Sequence, residues 1–314
     1  MGRFETTWVG IALFGGCSGD RSPTGLHDPY LVAYAVRMSV CTGSPAGAAL
    51  GRVLQGLAVG GPALRVALHD QVDCVRGAAD CPAVLACLDL GERCDAESTL
   101  SACEGDTTRT SCSSQPNGEA YVERISCPAV GGPVSVCRLA PNEDEDIHPS
   151  CVGAPCDVEG VSRCEGDFVV ECIGGYERRR ACVLAGQTCL EIEEGLHACG
   201  ESAGCSGDAC VDGVALRCDR ESGVPRVDGR LDCRVYSARH DCVMMDEGPG
   251  CRPNAPDPAC AGDETRESCD GAVIRACLEG LEVALDCATF GARCAVAEEP
   301  HGRSQLRCLA PDWP

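Results

Sequence analysis

The sequence contains no lysine: all 26 basic residues are arginine, set against 48 acidic residues, for a formal net charge of −22. That absence excludes Schiff-base chemistry and a phosphate-cradling P-loop lysine. The charge excludes nucleic acid and anionic lipid surfaces as partners, because phosphate contacts need clustered Lys and Arg. Aromatics are scarce at 4%, and Phe4, Trp8 and Phe14 take three of the eleven. With eight left for the remaining chain, a large buried core is not expected. Long apolar runs are missing too. The stretch from Thr7 to Gly16 is ten residues, about 15 Å of helix against a bilayer core of about 30 Å.

Close cysteine pairs are also absent. The nearest, Cys151–Cys156 and Cys205–Cys210, have four residues between them. Zinc knuckles, iron–sulfur sites and a C-x-x-C redox motif all need tighter spacing. No G-x-S-x-G elbow, P-loop, dinucleotide fingerprint or H-E-x-x-H is present. The six histidines (His27, His69, His148, His197, His240, His301) are scattered and read as solvent-exposed loop residues. His69-Asp70 near Cys74 could suggest a nucleophile pair, but Cys74 lies among other oxidisable cysteines. The chain reads as non-enzymatic.

Cysteine itself is abundant, 29 of 314 residues, the density of a secreted disulfide scaffold. The odd count requires a separate fate for one of them. Residues 1–16, with Arg3 ahead of the apolar stretch, read as a signal peptide. Gly15 and Gly16 before Cys17 resemble the lipobox of bacterial lipoproteins. That resemblance implies a diacylglycerol thioether on Cys17, which becomes the amino terminus. Ser18 in place of aspartate implies the outer membrane, surface-exposed or periplasmic. The alternative is a soluble secreted chain. Residues 17–27 are polar and would form a tether.

Residues 28–93 read as a helical region, with Asp28-Pro29 and Asp80 with Pro82 as start signals and Gly91 as the last stop. It holds Cys41, Cys74, Cys81 and Cys87, stapled to one another or with Cys87 reaching into the next unit. Four six-cysteine modules follow. Module 1 (94–155) carries Cys94, Cys103, Cys112, Cys127, Cys137 and Cys151. Module 2 (156–204) carries Cys156, Cys164, Cys172, Cys182, Cys189 and Cys199. Module 3 (205–259) carries Cys205, Cys210, Cys218, Cys233, Cys242 and Cys251, with an enlarged central loop. Module 4 (260–314) carries Cys260, Cys269, Cys277, Cys287, Cys294 and Cys308. Modules 2 and 4 share steps of 8, 10 and 7 between cysteines. With Cys17, this partition accounts for all 29.

The fold class expected is small disulfide-rich α+β: a short helical region, then four β-hairpin or meander modules. In module 2, Phe168–Cys172 reads as a strand, Ile173-Gly174-Gly175 as a turn and Tyr176–Cys182 as the return. Gly175 and Gly280 sit three places after the third cysteine. Gly186, Gly291 and Gly131 sit four places after the fourth, where a positive φ suits glycine. Six cysteines allow fifteen pairings, and spacing selects none. The segments 140–150 and 252–258 read as stiff spacers, so an extended row of modules is expected.

The element Cys-x-Gly-Asp recurs at Cys103–Asp106, Cys164–Asp167, Cys205–Asp208 and Cys260–Asp263. It reads as turn chemistry. No cofactor is expected; calcium is the one that these carboxylates and Glu143–Asp146 could take, but no D-x-D-x-D-G loop is present. Glu177-Arg178-Arg179-Arg180 reads as ordinary surface.

The lipobox-like start, the segment AADCPAVLACL and repeats of the form CDGAVIRAC…LDCATFGARC together resemble uncharacterised cysteine-rich secreted proteins and lipoproteins of myxobacteria-like deltaproteobacteria. The resemblance implies a surface location. The all-arginine usage suits a high-GC genome. Cys172, Gly175 and Cys182 are also similar to peritrophin-type chitin-binding modules, with Phe290 as the one aromatic in the sugar-facing stretch. The resulting expectation is a structural or adhesive lipoprotein, partnered by the membrane through its lipid and by an envelope or extracellular polymer or protein. The alternatives are a glycan- or chitin-binding array and an enzyme with an unrecognised site.

Overall fold

The computed structural model describes residues 25–95, 101–115, 119–141, 147–201, 205–219, 226–260, 266–298 and 304–311. The helical region comes first. Tyr30 N donates to Asp28 Oδ1 at 2.8 Å, and Pro29 takes the first turn, where its missing N–H costs nothing. These start α1 (Pro29–Thr42), which ends at Gly43 with φ 70°. Then come α2 (Ala46–Val59), α3 (Pro62–Gly77) and α4 (Cys81–Cys87), the last capped by Asp80 through Ala83 N at 3.0 Å. The helix stops at Cys87 rather than at Gly91. Asp89 takes φ 54°, and the chain turns straight into β1 (Leu90–Cys94). Cys41–Cys81 and Cys74–Cys87 staple α4 to α1 and α3, so Cys87 does not reach into module 1.

Module 1 adds β2 (Ser101–Glu104), β3 (Thr108–Ser114), β4 (Ala120–Ser126), the turn helix α5 (Cys127–Gly131), β5 (Val136–Pro141) and β6 (Ile147–Val152). Its first sheet runs β1-β4-β3-β2, and β5–β6 form a separate hairpin. Module 2 contains β7 (Ser162–Glu165), β8 (Phe168–Ile173) and β9 (Tyr176–Ala181), a 3-10 turn, then the hairpin β10 (Thr188–Glu193) and β11 (Leu196–Gly200). Module 3 repeats this with β12 (Ala209–Val211), β13 (Val214–Asp219), β14 (Arg226–Asp232), β15 (His240–Met245) and β16 (Gly248–Pro253). Module 4 does so with β17 (Glu267–Asp270), β18 (Val273–Leu278), β19 (Leu281–Asp286), β20 (Arg293–Glu298) and β21 (Ser304–Leu309). Each unit is thus a meander plus a terminal hairpin, one layer more than the hairpin or meander expected.

One disulfide pattern serves all four modules: first to third, second to fifth, fourth to sixth. Module 1 has Cys94–Cys112, Cys103–Cys137 and Cys127–Cys151. Module 2 has Cys156–Cys172, Cys164–Cys189 and Cys182–Cys199. Module 3 has Cys205–Cys218, Cys210–Cys242 and Cys233–Cys251. Module 4 has Cys260–Cys277, Cys269–Cys294 and Cys287–Cys308. The fifth and sixth cysteines face each other across every terminal hairpin, as in Cys189↔Cys199 and Cys294↔Cys308, yet they bond elsewhere. One ties the hairpin to the first meander strand, the other to the turn. With the two helical bridges, fourteen disulfides in all point to an oxidising extracellular or periplasmic setting.

The turn glycines behave as their positions require. Gly175 and Gly280 have φ of 77° and 79°, and Gly186 and Gly291 have 70° and 67°. Module 1 departs: Gly131 is helical, and the positive φ of 80° falls on Gly132.

The expected row of separate modules is overturned, and so is the absence of a large core. One continuous core joins α1, α2 and α3 to modules 3 and 4 through Leu31, Leu50, Val75, Tyr236, Ile274 and Leu285, all buried. It is aliphatic, with Tyr34 and Tyr236 its only fully enclosed aromatics among the described residues. Leucine, valine and alanine supply the burial that aromatics otherwise would, at about 1.5–3 kcal/mol for each larger aliphatic side chain.

The segments read as spacers are built in. Ala140↔His148 and Pro141↔Ile147 pair within the β5–β6 hairpin, whose tip lies outside the described residues. The 252–258 stretch is a joint: Asn254 N donates to Arg239 O and Asp257 N to Gly280 O, and Arg239 pairs with Asp257 at 3.2 Å.

Candidate functional site

A cleft of about 530 Å³ opens where the helical region, module 3 and module 4 meet. Each wall follows from local structure. Residues 51, 54, 55 and 59 of α2 recur at helical spacing and form one stripe of Gly51, Leu54, Gln55 and Val59. Opposite lies the β13–β14 face, where Ala215 pairs with Leu231 and Arg217 with Gly229. Directly opposed residues in an antiparallel pair share a face, so these four look into the cleft together. The inner end is closed by Leu26 and Tyr236, and the β18–β19 turn brings Leu278 and Glu279 to the mouth.

Two glycines hold the cleft open. A Cβ at Gly51 would have no atom within 4 Å, and one at Gly229 would meet the Arg217 side chain at 3.3 Å. The floor is rigid: Leu26 N donates to Tyr236 O at 2.6 Å, and both side chains are buried.

The polar groups are few. Among the described residues the Arg217 side chain makes no hydrogen bond or ion pair, and Arg230 stands 3.6 Å from Glu201. Burial, and then Glu279, push the Tyr236 hydroxyl well above its usual range. Desolvation raises the Glu279 carboxyl, opposed by Arg252. Behind the mouth, His240 is 3% exposed. Its Nε2 donates to Glu279 O at 3.0 Å, its Nδ1 lies 2.9 Å from Ser237 Oγ, and Arg239 N donates to that same hydroxyl. A carbonyl can only accept, so Nε2 carries the proton and Nδ1 accepts from Ser237. Burial pushes this imidazole below its ordinary value, and Arg239 does so further, against the Glu279 hydrogen bond. The arrangement suits binding: a preformed apolar slot with a few placed polar groups.

The histidine reading needs correction. His27 is exposed, but His69, His148 and His197 are half-buried and His240 is fully so. His69 sits on α3 beside Cys74, which is bridged to Cys87 and offers no nucleophile. His301 and Cys17 lie outside the described residues. Of the Arg178–Arg180 run, Arg180 is exposed as read, but Arg178 and Arg179 are not ordinary surface. Arg178 Nη2 donates to Pro141 O at 2.7 Å, while Arg179 bonds Glu165 and lies 5.1 Å over the Phe168 ring. Gly132 packs on that same ring, so the run joins module 2 to module 1.

Cys-x-Gly-Asp proves not to be equivalent between modules. Gly105 and Gly166 form the first turn of modules 1 and 2 with φ of 66° and 58°. Asp208 instead accepts from Cys218 N at 2.8 Å, and Asp263 lies outside the described residues. Among the described residues no group of three or more His, Cys, Asp or Glu is placed to hold a metal. Phe290, the aromatic offered by the chitin-type likeness, packs against the core beneath Arg37 at 4.9 Å.

Sequence reasoning missed the cleft. No family model, curated protein or solved structure matches the chain.

Proposed function

We propose that this is a non-enzymatic lipoprotein of the outer membrane, resembling the cysteine-rich surface proteins of myxobacteria-like deltaproteobacteria, that presents its modules in a structural or adhesive role. The observation that carries this is a constant frame with a varied tip. All four modules share one bridge pattern, while the pair two residues beyond the fifth and before the sixth cysteine changes: Leu139/Pro149, Glu191/His197, Met244/Pro249 and Val296/Leu306. Leu139, Met244 and Val296 are 66%, 57% and 63% exposed. Large apolar side chains held outward on stapled hairpins favour contact with an envelope or extracellular polymer or protein. The lipid anchor is supported by Gly15-Gly16-Cys17 and by the pairing of the other 28 cysteines, which leaves Cys17 over.

Intact mass of the protein from its native envelope, with and without alkylation under denaturing conditions, tests the reading. A chain beginning at Cys17, heavier by a lipid and without alkylatable thiols, is expected. An unmodified Cys17 or several free thiols would overturn the anchored scaffold.

A further inference from the structure

We infer that the cleft between α2 and the β13–β14 face binds a small anionic amphiphile, an apolar chain ending in a carboxylate. This goes beyond the adhesive reading and is independent of the lipid anchor. The cleft volume, 530 Å³, falls within the range of about 300–1,000 Å³ typical of small-molecule sites. Its inner surface is Leu26, Leu54, Leu231 and Tyr236, none of them charged, so the buried part of the ligand is apolar.

Charge complementarity selects the other end. In a chain of net charge −22, several arginines are already committed to a carboxylate, among them Arg163, Arg179, Arg234, Arg239 and Arg275. Among the described residues the Arg217 side chain has no acidic partner: it lies on the wall facing Gly229, its stem resting over the space that Gly229 leaves empty. A guanidinium forks onto a carboxylate with two parallel hydrogen bonds, and the apolar wall beside it strengthens that bond by excluding water. Arg230, in its long 3.6 Å pair with Glu201, adds positive potential at the same rim. Glu279 stands at the module 4 side of the mouth and acts against the ligand charge, so it favours a single carboxylate over a multiply charged headgroup.

Gly51 makes the inference testable without unfolding the protein. A side chain there enters empty space and improves helix propensity, so Gly51→Leu fills the slot while leaving the fold intact. Calorimetric titration of the full chain carrying Cys17→Ser, free of detergent, uses octanoate, decanoate and laurate below their micellar concentrations. Dodecanol and dodecyltrimethylammonium serve as neutral and cationic controls. Affinity is expected to rise about fourfold per added methylene, with dodecanol weaker than laurate and the cation weakest. Gly51→Leu and Arg217→Glu each lower laurate affinity tenfold or more with an unchanged or higher Tm, and Glu279→Gln raises it severalfold. Absent laurate binding, equal binding of dodecanol, or laurate affinity unmoved by both Gly51→Leu and Arg217→Glu would each overturn the assignment.

Discussion

Gly61 and Gly186 bring two distant parts of the chain into backbone contact: a Cβ on Gly61 would lie 2.3 Å from Gly186 N. Gly61 N donates to Leu184 O at 2.8 Å, so the loop before α3 is bonded to the turn of module 2. Gly186 is there because that turn needs φ 70°. Gly61 is there because nothing larger lets the two backbones meet.

Gly61→Ala is therefore expected to destabilise the protein by about 1–3 kcal/mol through forced separation of the backbones. Gly77→Ala, at the end of α3 with no atom within 4 Å of a Cβ, is the control and should be neutral or slightly stabilising. Thermal melts of both variants decide the matter. Equal Tm values would remove the contact from the account.

Non-reducing peptide mapping should recover first-to-third, second-to-fifth and fourth-to-sixth links from every module. A direct Cys189–Cys199 or Cys294–Cys308 link is the informative failure, since those residues are cross-strand neighbours. Removing Cys41 and Cys81 together opens a sequence separation of 40 residues and should cost about 4 kcal/mol on the chain-entropy account.

His240 sets a pH dependence at the joint of modules 3 and 4. Its folded value lies below its ordinary one because it is buried, so the unfolded chain binds more protons in the window between the two. Stability therefore falls as pH drops below about 6.5. Glu279 and Glu267, both raised by desolvation, act with the opposite sign at lower pH. Tm against pH should decline less steeply from pH 7 to 5.5 in His240→Gln than in wild type. Parallel curves would exclude the histidine as the cause.

If the hairpin tips carry adhesion, Leu139→Ser, Met244→Ser and Val296→Ser combined should reduce retention on isolated envelope material several-fold. Because all three side chains are mostly exposed, Tm should shift little. Undiminished retention with an intact fold would remove the tips from the proposed role.

Much of the local structure is legible from residues alone. Asp28-Pro29 starts α1 where its capping chemistry places it, and the Phe168 strand, its two-glycine turn and the Tyr176 return follow from alternation and glycine. The limits are equally specific. Gly131 shares its spacing with Gly186 and Gly291, yet module 1 inserts a full helical turn and moves the positive φ to Gly132. The Arg178–Arg180 run looks like surface because alternation on an isolated hairpin says so. What partly covers Arg178 and Arg179, though not the exposed Arg180, is a neighbouring module whose approach no local pattern encodes.

The sequence by itself determined an oxidising setting, the repeat, the helical start and the turns, because cysteine density, spacing, capping and glycine conformation act over a few residues. Only the tertiary structure decided the bridge pairing, the core shared by the helices with modules 3 and 4, the burial of His240 and the existence of the cleft. These depend on which surfaces meet after the chain has turned many times. Cys308 N donates to Ser39 Oγ at 3.0 Å across a separation of 269 residues, and such a contact pays its closure entropy only when the whole aliphatic core forms with it.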